Sequence, residues 1–176
     1  MKAVTLLFLV SAFLIGFGSS PASSASTDPH SKSTVFIVGD ESAKALAHSL
    51  QSAGLHAEAG FPNSPDAFAI LAQDSTQGIL PVHKQAIAKV QQSGNALVMV
   101  VFTRTDLVDD IELLELEELE MRDHLTSVGI DGDAMTVSLD SENAPTNPQY
   151  PQLLGMKQIK AAIDSLLANK AVSRTP

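Results

Sequence analysis

The stretch Ala96-Leu-Val-Met-Val-Val-Phe102, the turn Thr103-Arg-Thr-Asp106 after it, and the acidic run Ile111-Glu-Leu-Leu-Glu-Leu-Glu-Glu-Leu-Glu-Met-Arg122 decide the fold. Seven apolar residues without polar alternation are the mark of a strand buried on both faces, as in the middle of a parallel sheet. The acidic run predicts a helix over 109–128. Its acids gather in the first turns, where the helix dipole favours negative charge. Ile111, Leu114, Leu125 and Val128 share one face, which Glu118 interrupts. Eight acids accompany Arg122 over this span, a pattern read first as a solvated face and second as a docking surface for a basic protein partner.

The same alternation extends outward. Thr34 to Val38 is a short β-branched strand ended by Gly39, and 41–53 carries Ala43, Leu46, Ala47 and Leu50 at helical spacing. A strand is expected near 56–59 and another over 66–72. A helix over 82–93 ends at Gly94. The strand 134–139 and an amphipathic helix over 153–168, with Ile159, Ala162, Ile163, Leu166 and Leu167 facing the sheet, complete the series. Strands and helices that largely alternate predict an α/β, three-layer domain with a mostly parallel sheet.

Asp74-Ser-Thr-Gln-Gly-Ile-Leu-Pro81 leads to Ile87, and after the central strand come Thr103, Arg104 and Asp106 followed by Leu107-Val-Asp-Asp110. From Asp74 to about Leu167 this resembles the second half of the GTP-binding domain of bacterial elongation factor Tu. The resemblance implies a truncated P-loop GTPase-like fold. Where that family has Asn-Lys-x-Asp to read guanine, this chain has Thr103, Arg104 and Asp106. Arginine can stack on a base through its planar guanidinium, whereas threonine is too short for the asparagine brace. Ser141 matches the serine of the family's Ser-Ala-Leu, with Glu142 and Asn143 replacing the other two. These four residues form a vestigial guanine site by resemblance. Asp106 reads first as a turn or helix-capping residue, and second as a base acceptor. His83 falls at a threonine position of the family and is expected to be a solvated first-turn histidine.

The phosphate end is more degraded. A Walker-type loop needs two glycines, a lysine and a Ser/Thr hydroxyl for magnesium. Gly39 and Lys44 alone survive, five positions apart where the motif requires six; Ala43 replaces the second glycine and Ala45 the hydroxyl. Asp40 and Glu41 place negative charge where a triphosphate would lie. Between Leu55 and Pro65 there is no Asp-x-x-Gly, the family's turn for magnesium and the attacking water.

Lys2, the apolar run Ala3 to Phe17 and the small residues Ser23-Ser-Ala25 are the pattern of a signal peptide. The run falls short of the roughly 20 apolar residues of a spanning helix, with an uncleaved N-terminal anchor as the second reading. The expected organisation is a signal over 1–25, a disordered lead over 26–33, one α/β domain over 34–170 and a flexible tail over 171–176. The setting is then periplasmic or secreted. With no cysteine, neither a disulfide nor a lipidated cysteine is available. Removal of the signal takes away Lys2 and no acid, shifting the net charge from −9 to −10. Such a chain is repelled by nucleic-acid phosphates and anionic lipid, so neither partner is expected.

Asp131, Asp133 and Glu142 lack the calcium-loop spacing, and no metal site is expected. Neither a nucleophile elbow nor a zinc-binding His-Glu-x-x-His is present. The leading expectation is an exported, non-hydrolytic binding or interaction module, with no cofactor unless GTP or GDP occupies the vestigial site. A residual guanine-nucleotide binder and an envelope hydrolase are the alternatives.

Overall fold

A computed structural model of the chain describes residues 34–64, 67–140 and 153–172. The expected signal and lead, Ser141, the loop containing Tyr150 and residues 173–176 lie outside the described residues.

Six strands form one sheet: β1 (Val35–Gly39), β2 (Ala57–Ala59), β3 (Phe68–Asp74), β4 (Ala96–Thr103), β5 (Thr136–Asp140) and β6 (Leu153–Leu154). Their order is β2-β1-β3-β4-β5-β6, and every pairing is parallel. Among the described residues, α1 (Ser42–Ser52), α2 (Pro81–Gln92) and α3 (Ile111–Ser127) lie between strands, and α4 (Met156–Val172) follows β6. The expected three-layer α/β architecture is present. Among the described residues no helix is long and apolar enough to cross a membrane.

Two hydrophobic layers sandwich the sheet. Leu46, Ala47 and Leu50 of α1 and Ile159 and Ile163 of α4 pack with Ile37, Ile70 and Val101 on one face. Ala86, Ile87 and Val90 of α2 and Met121 and Leu125 of α3 pack with Leu71, Val100 and Phe102 on the other. Strand β4 fills both layers by means of a bulge. Leu97 opposes Ala69 while Met99 opposes Ile70, so Val98 is an extra residue in the ladder. Leu97 and Val100, three apart, therefore share a face, with Val98 and Met99 on the opposite one.

Several expectations are corrected. Leu153 and Leu154 are not helical; they pair with Leu139 and Asp140 as the edge strand β6. A two-residue apolar run carries no periodicity to tell strand from helix. Helix α4 starts after Gly155, whose carbonyl accepts from the amides of Gln158 and Ile159, and it runs on to Val172 through the start of the expected tail.

Helix α3 starts at Ile111, with the Asp110 carboxylate accepting from the Glu112 amide. Its buried positions are Leu114, Glu117, Met121 and Leu125. The acid in the buried stripe is thus Glu117 rather than Glu118, which turns aside to pair with Arg122 at 2.7 Å. Leu113, Leu116 and Leu119 are exposed among the acids, so the outer face of α3 is not uniformly polar.

Candidate functional site

Strand β1 is followed by a connection to β2 on one side of it, and the next strand, β3, lies on its other side. Ligands of open parallel sheets bind at such a reversal, beyond the carboxyl ends of the strands. A crevice of about 1100 Å³ opens there. Gly39 and Asp40 after β1, Asp74 at the end of β3, and Thr103, Arg104 and Asp106 at the end of β4 line it, together with Lys44 of α1. The two stretches, Gly39 to Lys44 and Thr103 to Asp106, are far apart in sequence and face one space. Ser141 lies outside the described residues.

Each residue is positioned by a local cause. Gly39 has φ +136°, and a Cβ there would stand 2.0 Å from the carbonyl oxygen of Ala72. Glycine is required at this point by close packing of β1 on β3, whether or not any phosphate binds. Lys44 is exposed in the first turn of α1. Thr103 is buried, and its hydroxyl donates to the carbonyl of Gln73 at 3.2 Å, which ties β4 to β3.

Arg104 is the one non-glycine residue with positive φ among the described residues, at φ 58° and ψ 30°. This left-handed step turns the chain into the 3-10 turn Thr105–Leu107. The Arg104 guanidinium then reaches back to Asp74 Oδ2 at 2.7 Å. The other Asp74 oxygen accepts from the Thr76 amide and hydroxyl. Burial would raise the Asp74 pKa, but the Thr76 hydrogen bonds and the charge of Arg104 prevail and lower it.

Asp106 sits within the 3-10 turn, exposed on the crevice. The cap of α3 is Asp110, so of its two structural readings Asp106 keeps only that of a turn residue. Its carboxylate accepts no hydrogen bond among the described residues and is open to a ligand.

Asp40 lines the crevice, and the buried His83 stands behind it. Asp40 Oδ1 accepts from the Ser42 amide at 2.8 Å, and Oδ2 accepts from the Asp74 amide at 2.8 Å. The imidazole of His83 lies 2.8 Å from the same Oδ2. Its other nitrogen, Nδ1, accepts from the Leu80 amide at 2.9 Å, which leaves Nε2 carrying the proton that it donates to Asp40. His83 is fully buried, contrary to the solvated residue expected. It occupies the third position of α2 and reaches back to the helix-capping amide, as a glutamate does in a capping box. Burial by itself would raise the Asp40 pKa, yet hydrogen bonds from His83, Ser42 and the Asp74 amide hold it well below the usual carboxylate range.

Behind β3, Gln73 is fully buried and its Nε2 approaches Glu117 Oε2 at 3.5 Å. Burial pushes the Glu117 carboxyl up to about 7, Gln73 opposing and the charges of Glu120 and Asp74 adding to the rise. Gln73 Oε1 and Ser75 Oγ find no hydrogen-bond partner among the described residues. Sequence spacing gave no signal for Asp74, His83, Gln73 or Glu117, because each acts across elements that only folding brings together.

No protein-family model matches the chain. At the turn after α3, the Asp131 carboxylate accepts from the Ala134 amide at 3.0 Å, a local turn-closing bond. Among the described residues, no group of three or more histidine or acidic side chains could hold a metal ion.

Proposed function

We propose that this chain is a non-hydrolytic binding module built on the framework of the elongation factor Tu GTP-binding domain and working in an exported setting. The observation that carries the reading is the single crevice lined by Gly39, Lys44, Thr103, Arg104 and Asp106. A retained crevice with an open carboxylate at Asp106 supports ligand binding. Ala45 in place of a magnesium-binding hydroxyl, and the missing Asp-x-x-Gly turn, argue against hydrolysis.

Calorimetry of the full chain with guanosine, GMP, GDP and GTP, with and without magnesium, tests it. Binding of any of them tighter than ~100 μM, or roughly −5.5 kcal/mol, that weakens in Asp106→Ala supports a guanine-reading crevice. Release of phosphate from GTP above the buffer rate would reject the non-hydrolytic reading.

A second reading, that of an interaction module for a protein partner, is favoured by one observation. Leu113, Leu116 and Leu119 are exposed on α3 between acidic residues. Silent calorimetry with all four guanine ligands would turn attention to that face.

A further inference from the structure

The amino end of a helix that follows a strand is a natural seat for an anion, because its free amides and dipole favour negative charge. In this chain that seat is taken. The Asp40 carboxylate accepts the Ser42 amide at the start of α1 and the Asp74 amide at the end of β3. A third donor, His83 Nε2, closes on the same carboxylate from α2. The imidazole cannot swing away without leaving the Leu80 amide unpaired, and it is fully buried. Three elements therefore hold one carboxylate at the place where a ligand phosphate would be received.

The remaining charges point the same way. Asp40, Glu41, Asp74 and Asp106 line the crevice against Lys44 and Arg104. Arg104 is committed to Asp74. Lys44 then faces three carboxylates, an arrangement that repels a phosphate ester and leaves acceptors for N–H groups. We infer that Asp40 is the specificity-determining residue of the crevice: it occupies the anion position, so that the site takes an uncharged, N–H-donating heterocycle such as a nucleobase or nucleoside and rejects the corresponding nucleotides. The ligand class rests on the reading of Asp106 as a base acceptor. The exclusion of phosphate rests on the Asp40 geometry alone.

Two measurements on the full chain separate these. Calorimetry compares guanosine with GMP and GDP, and phosphorus NMR line broadening follows pyrophosphate, each with the unmodified protein and with Asp40→Ser. Serine keeps a short acceptor for the Ser42 amide while vacating the carboxylate position. Guanosine is expected to bind the unmodified protein at least tenfold more tightly than GMP. Pyrophosphate is expected to broaden only with Asp40→Ser, in which the preference for guanosine over GMP shrinks or reverses.

Tighter binding of GMP or GDP than of guanosine by the unmodified protein, or pyrophosphate binding to it, overturns the inference. Pyrophosphate ignored by a folded Asp40→Ser protein overturns it too. Absence of guanosine binding, with pyrophosphate taken up by Asp40→Ser alone, rejects the base reading and leaves the exclusion by Asp40 standing. Circular dichroism melting reports whether Asp40→Ser folds; where it does not, the guanosine-to-GMP ratio of the unmodified protein decides.

Discussion

His83 donates from Nε2 to Asp40 Oδ2 over 2.8 Å while its Nδ1 accepts from the Leu80 amide, so one buried neutral imidazole joins α2 to the end of β1. Truncation to His83→Ala removes both bonds and leaves Asp40 and the Leu80 amide short of partners. Unsatisfied buried groups cost about 1–3 kcal/mol each, so a loss of about 3 kcal/mol in urea unfolding is expected. A loss below about 1 kcal/mol would mean that the pair is not structural.

Gly39 offers a second stability test. Gly39→Ala places a methyl 2.0 Å from the Ala72 carbonyl oxygen at a φ of +136°. Strand β1 must then separate from β3, at a cost of about 3–5 kcal/mol. A phosphate-loop glycine whose role was confined to a ligand would show an unchanged melting temperature on the same substitution.

For Arg104, opposing effects can be separated by two variants. Its left-handed conformation costs roughly 1 kcal/mol in a residue with a Cβ, and its ion pair with Asp74 joins a half-exposed guanidinium to a nearly buried carboxylate. Arg104→Gly loses the pair but relieves the backbone, so its stability stays within about 1 kcal/mol of the parent. Arg104→Ala loses the pair and keeps the strain, and should lie about 1 kcal/mol below the glycine variant. Equal stabilities would show that the turn is not strained.

The acid limb and the neutral limb of the stability profile have different owners. Asp40 and Asp74 have pKa values lowered in the fold, so their contribution is present above the ordinary value of 3.8 and is lost as the pH falls through their folded values. Glu117 is raised from 4.5 to about 7, so its contribution is complete below 4.5 and is lost as the pH rises through about 7. Stability is expected to peak near pH 4.5 and decline toward neutrality. Glu117→Gln should flatten that decline and be the more stable protein at pH 8, by roughly 3 kcal/mol. An unaltered slope between pH 5 and 7 in Glu117→Gln would remove Glu117 from this role.

The register of α3 is checked by paired leucines. Leu114 is 1 % exposed and Leu116 is 50 % exposed. Leu114→Ala should cost about 3 kcal/mol, while Leu116→Ala should stay within about 0.5 kcal/mol. The reverse ranking would rotate the helix.

Much of the architecture was legible in the chain because burial and backbone geometry leave local traces. The seven apolar residues from Ala96 announced a central strand, and β4 pairs on both sides with parallel neighbours. The spacing of Ala43, Leu46, Ala47 and Leu50 announced a helix, and all four are buried in α1. Where the local trace was thin, it misled. Glu117 and Glu118 are chemically alike neighbours, and the rotational phase in which α3 packs on the sheet, with Leu114, Met121 and Leu125 inward, decides which of them turns inward. Leu153 and Leu154 are too few to show a period.

The sequence by itself determined most of the alternation of strands and helices and the absence of cysteine chemistry. Each of these follows from residue type and spacing along the chain. Only the tertiary structure decided that Gly39, Lys44, Thr103, Arg104 and Asp106 line one crevice, that Arg104 is held by Asp74, and that the Asp40 carboxylate accepts from the Ser42 and Asp74 amides and from His83. Hydrogen bonds and ion pairs between β1, β3, α2 and the turn after β4 depend on the strand order β2-β1-β3-β4. That order arises from packing two faces of a sheet at once, and it leaves no mark on any short stretch of sequence.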